Sequence, residues 1–337
     1  MDAEALRERL VAFLGRAHGA QSVRIDDLRL LTGGASRQTW SFDATIAAAD
    51  GSTQTLPLVL RADPRRTAGL MSRETEFRLL QAAHDAGVPV PKVHLMGDDS
   101  LDAPFFLMER VDGETIPRRL LRDDAYAPAR AAMTGQLGAI LANVHDIPLD
   151  APGLDALAAP PADVSPARSE IDRFEQVYRA ITPEPHPAFE LAFRGLRDRA
   201  PQSARRTLVH GDYRIGNVIF GPEGARAVLD WELAHTGDPM EDLGWTCVRS
   251  WRFGNDALPV GGIGTREAFF AAYESAGGCR VDPEAVRFWE AFGNLRWGII
   301  CISQAKTFLD GHSQSVELAA IGRRIAETEW ELLQLMR

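Results

Sequence analysis

The chain has 337 residues, 45% of them apolar and 25% charged, and 47 acids against 37 lysines and arginines leave a formal net charge of −10. That length buries a sizeable core in two domains or one two-part unit, and the composition is that of a folded protein. The acidic balance argues against a nucleic-acid or anionic-membrane surface.

Residues 2–17 read as an amphipathic helix with Leu6, Leu10, Phe13 and Leu14 on one face, stopped by Gly19. An acidic, amphipathic start fits neither a signal peptide nor a transit peptide. No apolar run approaches the ~18–20 residues that span a bilayer, so a cytoplasmic location with no membrane partner is expected. A β-rich block follows. Val23–Leu31 runs into Thr32-Gly-Gly-Ala-Ser-Arg37, Gln38–Ala47 alternates as a strand, Asp50-Gly51 turns, and Leu56–Ala62 returns carrying Arg61. Met71–Ala86 reads as a helix ended by Gly87, with Glu74 and Glu76 early in it, where the helix dipole favours acids. Val88-Pro-Val-Pro-Lys-Val93 is extended by its prolines. Phe105–Gly113 is an apolar strand that breaks into a charged, glycine-ended linker.

Beyond it the periodicity turns helical. Ala129–His145 carries Met133, Leu137, Ile140, Leu141 and Val144 as a core stripe, with His145 read as its C-terminal cap. Residues 149–166 form a loop, and helices over Arg168–Ile181 and Pro187–Arg199 precede the most informative stretch. There, short strands at Thr207–Val209 and Val218–Phe220 flank a polar loop, and a third run, Ala227–Leu229, ends on Asp230. Helices are expected over Thr265–Ala276, Pro283–Leu309 and Ser315–Met336, with Gly261-Gly-Ile-Gly264 as a flexible turn able to act as a flap. Cys247, Cys279 and Cys301, odd in number and widely spaced, read as buried thiols.

Chemistry concentrates in the polar loop. Asp212 precedes Asn217 by five positions, the interval between the base and the metal-binding Asn of a kinase catalytic loop, and Asp230 stands where a second metal ligand would be expected. Phosphoryl transfer needs a carboxylate to orient a hydroxyl and oxygen ligands to hold Mg²⁺ against the polyphosphate.

His210-Gly-Asp-Tyr-Arg-Ile-Gly-Asn217 with Asp230-Trp-Glu232 resembles the signature of the aminoglycoside phosphotransferase and choline kinase-like family, small-molecule kinases that share the protein-kinase fold. The resemblance runs from about residue 25 to the C-terminus and is strongest at these two motifs. It implies an α+β, two-lobed fold: a β-rich nucleotide-binding lobe over residues 1–108, a hinge at 109–113, and a helical lobe over 114–337 with the catalytic loop and acceptor site. Asp212 would be the base, and Asn217 and Asp230 would hold Mg²⁺. Gly33, Gly34 and Ser36 would cover the phosphates. Arg61 would stand in for the family's basic residue, set by Glu76 or, alternatively, Glu74. The C=O of Glu109 and the N–H of Val111 would meet the purine of ATP, with GTP the other candidate. Asp242 would brace the catalytic loop, Asp238 would cap the helix that follows, and His235, near the phosphate site, would touch substrate or, as is commoner, be a simple loop histidine.

The implied partner is a small-molecule hydroxyl acceptor, with no nucleic acid; oligomeric state is left open. Residues 1–110 hold 13 basic residues against 15 acids, leaving 24 against 32 for residues 111–337, an excess that suits a cationic acceptor or simple solubility. Arginines such as Arg266 and Arg296 in the late helices suit a neutral or anionic acceptor instead, including a hydroxyacyl thioester, as in the family's acyl-CoA-associated branch. A choline-type acceptor would need an aromatic cage, for which Trp245, Trp251, Trp289 and Trp297 are candidates. Two other classes compete: a nucleotide-binding protein without catalysis, supported by Arg61 in place of Lys, and a protein kinase, disfavoured by the lack of Asp-Phe-Gly.

Overall fold

The structure, a computed structural model, describes residues 2–31, 38–63, 71–182, 184–203 and 205–337. The chain divides into two units, the first formed by Met1–Gly113 with Asp150–Ala156 and Arg226–Glu232, the second by Glu114–Leu149, Leu157–Ala225 and Leu233–Arg337.

In the first unit, alternation of apolar side chains builds a sheet with one face for each of two helices. Helix α1 (Ala3–His18) leads to β1 (Ser22–Leu30), β2 (Gln38–Ala47) and β3 (Thr53–Ala62). Helix α2 (Arg73–Asp85) then precedes β4 (Val93–Met96) and β5 (Phe105–Glu109). The five strands are antiparallel in the order β1-β2-β3-β5-β4, with Trp40 opposite Leu60 and Leu60 opposite Leu107. Leu6, Leu10, Phe13 and Leu14 of α1 pack on Phe42, Leu58, Leu60, Phe105 and Leu107, each large side chain worth roughly 1.5–3 kcal/mol. Because side chains alternate along β3, Leu58, Leu60 and Ala62 face α1, while Arg61 turns to the other face and meets α2. Ser72 caps α2 by accepting from the Thr75 amide at 3.0 Å. The late segment 226–232 joins this unit through the Val228 amide on Pro89 O (2.8 Å) and Arg226 on Asp112 O (2.7 Å).

The second unit is helical. It holds α3 (Pro117–Arg122), α4 (Ala127–His145), α5 (Pro166–Ile181) and α6 (Pro187–Asp198), then the short strands β6 (Thr207–Val209) and β7 (Val218–Gly221). Strand β8 (Gly224–Val228) carries the chain back toward the first unit's segment, and β9 (His235–Gly237) pairs antiparallel with β6. Last come α7 (Met240–Thr246), α8 (Arg266–Ser275), α9 (Pro283–Leu309), α10 (Val316–Ile321) and α11 (Ile325–Leu335). Helix α9 is apolar nearly all round, as a buried helix must be, and α7 lies so close to it that a Cβ on Gly244 would sit 2.7 Å from the Glu290 amide nitrogen. The single late helix expected over Ser315–Met336 is instead α10 and α11 joined by a tight turn at Gly322–Arg324. No helix among the described residues is long and apolar enough to cross a membrane.

Candidate active site

Two groups of polar residues, one in each unit, contain the residues singled out above. The first surrounds the loop after β6. Gly211 has φ 79°, and a Cβ there would lie 2.5 Å from Leu233 O, so only glycine lets the loop turn. Asp242, wholly buried on α7, accepts from the His210 amide at 2.7 Å and the Gly211 amide at 2.9 Å. Burial alone would raise its pKa, but the His145 hydrogen bond, the neighbouring histidines and the His210 amide outweigh burial and leave it lowered. His145 is therefore more than the helix end expected of it. Its Nε2 lies 3.2 Å from Asp242 and its Nδ1 2.9 Å from the Tyr273 hydroxyl, bracketing the acid from behind. Asp238, just ahead of α7, accepts from the Met240 amide at 2.9 Å.

On this footing the Asp212 carboxylate is held by three donors. Trp245 Nε1 donates to Oδ1 at 2.8 Å, Arg214 Nε to the same oxygen at 3.0 Å, and Asn217 Nδ2 to Oδ2 at 2.6 Å. Asn217 Nδ2 also donates to the Asp212 carbonyl at 2.9 Å. Both partners are acceptors, which fixes the amide orientation and leaves Asn217 Oδ1 as the oxygen available to a hard cation. Arg214 was not among the site residues expected, and Trp245 was named only as a candidate wall of an acceptor cage, not as a donor to Asp212. Trp245 was readable in principle, since it lies three residues after Asp242 and so shares its face of α7.

The second group sits in the first unit. Asp230 occupies the left-handed region at φ 60°, which Asp tolerates better than most residues and which holds a half-exposed carboxylate clear of the strand. Both terminal nitrogens of Arg61 lie 3.4 Å from its Oδ1, and Arg61 Nε lies 2.6 Å from Glu76 Oε1. Glu76 also pairs with Arg73, which reaches Asp63 at 2.8 Å. Burial opposes the Arg61 charge, but Glu76, Asp230 and Glu232 prevail and raise its pKa, so the guanidinium stays cationic. Of the two candidate acids, Glu76 is buried against Arg61, while Glu74 is exposed.

Glu109 ends β5 opposite Leu58 with its amide on Lys92 O at 2.8 Å, and Val111 follows in the linker. Gly33, Gly34 and Ser36 lie outside the described residues. Three expectations are overturned. His235 does not stand open to a ligand: it is buried on β9, with Nδ1 on Leu233 O and Nε2 on Glu241. Gly261–Gly264 is no flap, because the turn is buried, closed by Val260–Gly264 pairing and held by Asn255 Nδ2 on Gly262 O at 2.7 Å. Arg266 and Arg296 do not face an acceptor either, since Arg266 pairs with Glu290 at 2.6 Å and Arg296 with Glu241 at 3.0 Å. Glu170, His235 and Glu241 come close enough to suggest a metal site. With both histidine nitrogens engaged, and with Arg173 and Arg296 on the two glutamates, the cluster is neutralised by its own cations.

A model of the phosphotransferase enzyme family matches residues 27–289. Acyl-CoA dehydrogenase family member 10 of Mus musculus is 32% identical over 298 residues, which cover 81% of this chain and 27% of that protein. The chain thus spans about a quarter of that relative's length. A structure from Ralstonia eutropha described as an aminoglycoside phosphotransferase shares 26% identity at a TM-score of 0.74, covering 99% of this chain and 98% of the other. A choline/ethanolamine kinase family protein from Mesorhizobium loti shares 19% identity at a TM-score of 0.63, covering 100% and 98%, a likeness of fold.

Proposed function

The chain belongs to the phosphotransferase enzyme family, and from that premise we propose that it moves the γ-phosphate of ATP to a hydroxyl of a small molecule. Membership carries the coarser statement, a small-molecule phosphotransferase with a kinase-like fold. The observation that supports the finer one is the Asp212 carboxylate, pinned by Trp245, Arg214 and Asn217 on a loop braced by Asp242.

A carboxylate that accepts three hydrogen bonds is fixed in place and can position a hydroxyl. That suits phosphoryl transfer, whose loose transition state asks for orientation more than proton abstraction. In this reading Asp212 Oδ2 receives the acceptor hydroxyl and takes its proton late, as the new P–O bond forms and ADP departs. Asn217 Oδ1 and Asp230 would hold Mg²⁺, which supplies charge neutralisation on the phosphates when bound; the all-oxygen donor set fits a hard divalent ion. Arg61, kept cationic and aimed by Glu76, would grip non-bridging phosphate oxygens in a fork that Lys cannot offer. The Arg61–Glu76 pair weighs against the catalytically silent alternative.

For the acceptor, two classes stand out. The relative named for acyl-CoA dehydrogenases favours a hydroxyacyl thioester, and the Ralstonia structure an aminoglycoside. The test is ADP formation from Mg·ATP against aminoglycosides, choline-like amines, sugars and hydroxyacyl-CoAs. Asp212→Ala is expected to lose about 10²–10⁴-fold in turnover while ATP affinity changes by less than about twofold. Retained turnover would refute the assignment.

A further inference from the structure

Arg214 has a part that the reaction as drawn leaves unused. Its Nε is spent on Asp212 Oδ1 at 3.0 Å, and its guanidinium carbon lies over the Trp251 indole, 4.7 Å from the ring centroid. Its Nη1 and Nη2 have no acceptor among the described residues, although only 26% of the side chain is exposed. Room for them is made by Gly216, whose missing Cβ would otherwise meet Nη1. Gly216 has an ordinary φ, so glycine is there for space and not for backbone freedom. A guanidinium stacked on an aromatic ring, tied at one end and open at the other, is organised to accept a planar or tetrahedral oxyanion on two parallel N–H groups.

The surroundings point the same way. Trp245, Trp251 and Trp297 pack in a row, tilted and edge-to-face, with centroids 5.1 and 4.9 Å apart. Each indole already carries a guanidinium of this chain: Arg296 lies 4.7 Å from Trp245, Arg214 4.7 Å from Trp251, and Arg324 5.8 Å from Trp297. All three fall within the roughly 6 Å reach of a cation–π contact, so the row is not an open cage for a quaternary ammonium or an aminoglycoside amine. The other arginines nearby are neutralised, Arg296 by Glu241, Arg324 by Glu327, and Arg249 by Asp256 and Glu331.

We propose that Arg214, seated on Trp251 and Gly216, binds a carboxylate or phosphate of the acceptor, so that the acceptors of this enzyme are anionic alcohols: hydroxy acids and their phosphate-bearing conjugates. The inference rests on the phosphotransferase reading and names the substrate class of the same site. An oxyanion on the outer nitrogens stands roughly two hydrogen-bond lengths, about 6 Å, from the Asp212 carboxylate. The hydroxyl and the anionic group are therefore separated by a short chain.

The test uses three alcohols of one length that differ in charge, 5-hydroxypentanoate, 1,5-pentanediol and 5-amino-1-pentanol, with ADP release as the readout. Wild-type kcat/KM is expected to favour the anion over the amine by at least about tenfold, the worth of one charge-assisted hydrogen bond. Arg214→Gln also removes a donor to Asp212, so kcat should fall with every alcohol; beyond that common loss, kcat/KM for the anion should fall about 10- to 100-fold more than for the diol, the excess appearing in KM. Gly216→Ala, which keeps the arginine but displaces its outer end, should produce a smaller loss of the same kind with an unchanged melting temperature. Equal use of the amine, no use of the hydroxy acid, or unchanged selectivity in Arg214→Gln would overturn the proposal. So would an equal fall with all three alcohols in Arg214→Gln, which would leave Arg214 as a positioner of Asp212 with no part in choosing the acceptor. Turnover of the amine that equals or exceeds that of the hydroxy acid and vanishes in Asp212→Ala would sink the anion subsite and leave the phosphotransferase reading standing.

Discussion

Trp245 shows how one side chain can govern a carboxylate it does not neighbour in sequence. Its indole N–H supplies the shorter of the two hydrogen bonds to Asp212 Oδ1, 2.8 Å against 3.0 Å from Arg214. Trp245→Phe keeps the stack on Trp251 and beneath Arg296 and deletes only that donor. A hydrogen bond to a charged group contributes about 1.5–3 kcal/mol, so kcat is expected to fall about 10- to 100-fold with the KM for ATP nearly constant. Trp245→Ala would confuse the issue, since emptying a buried indole costs about 3–5 kcal/mol of stability. An unchanged kcat in the Phe variant would mean the bond is idle. At this scale Asp212, Asn217 and Asp242 are legible because they fall in contiguous motifs with fixed spacing. Glu76 was separable from Glu74 by helical phase, since Leu79, Leu80 and Ala83 follow it at three, four and seven positions on the buried face of α2. Arg214 lay inside the recognised motif, but its stacking partner is 37 positions away (251 − 214), and no local pattern reveals that.

Among elements, the loop after β6 rests on a ladder of buried charges rather than on strand pairing alone. Arg296 of α9 donates to Gly211 O at 2.8 Å and to Glu241 of α7 at 3.0 Å; Glu241 in turn holds His235 of β9 at 3.2 Å. Burial pulls the His235 pKa down, but Glu241 and Glu170 raise it to about 9, above its usual 6.5. A raised histidine stabilises the fold fully below the unfolded value and loses that contribution as pH climbs through the folded one. Stability is therefore expected to fall between pH 6.5 and about 9 by on the order of 3 kcal/mol at most. Urea midpoints at the two ends of that window should differ in the wild type and converge in His235→Gln; a slope that survives the substitution would remove His235 as its source. Helix α9 matched its sequence bounds, Pro283–Leu309, because Asp282 and Pro283 start it and its apolar run never breaks. Strand β9 was missed because His235-Thr-Gly237 lacks the apolar and β-branched run that marks Thr207-Leu-Val209. The Gly261–Gly264 turn was misread because glycine serves close packing as readily as motion: a Cβ on Gly264 would strike Thr134.

For the whole molecule, sequence order and spatial grouping part company at Asp230. A boundary drawn along the chain separates residue 230 from residue 61, yet 226–232 returns to the first unit, and Arg61 comes to share Asp230 and Glu76. Nothing in the local sequence of 226–232 encodes that return. It depends on Val228 meeting Pro89 and Arg226 meeting Asp112, contacts spanning more than a hundred residues. Asp230 held beside a buried cation, and half exposed, is an acid whose charge a nucleotide-bound divalent ion would complete. Binding that favours the native state stabilises it by about 2.7 kcal/mol at a hundredfold excess over Kd, so Mg·ATP should raise the wild-type melting temperature by several degrees. Asp230→Asn is the informative variant, because Asn tolerates the same left-handed backbone and keeps the side-chain shape while removing the charge. Its melting temperature without ligand should stay within a degree or two, and the shift caused by Mg²⁺ over ATP with EDTA should largely vanish. A full Mg²⁺-dependent shift in the variant would exclude Asp230 as a metal ligand and leave its strained backbone without a functional reason.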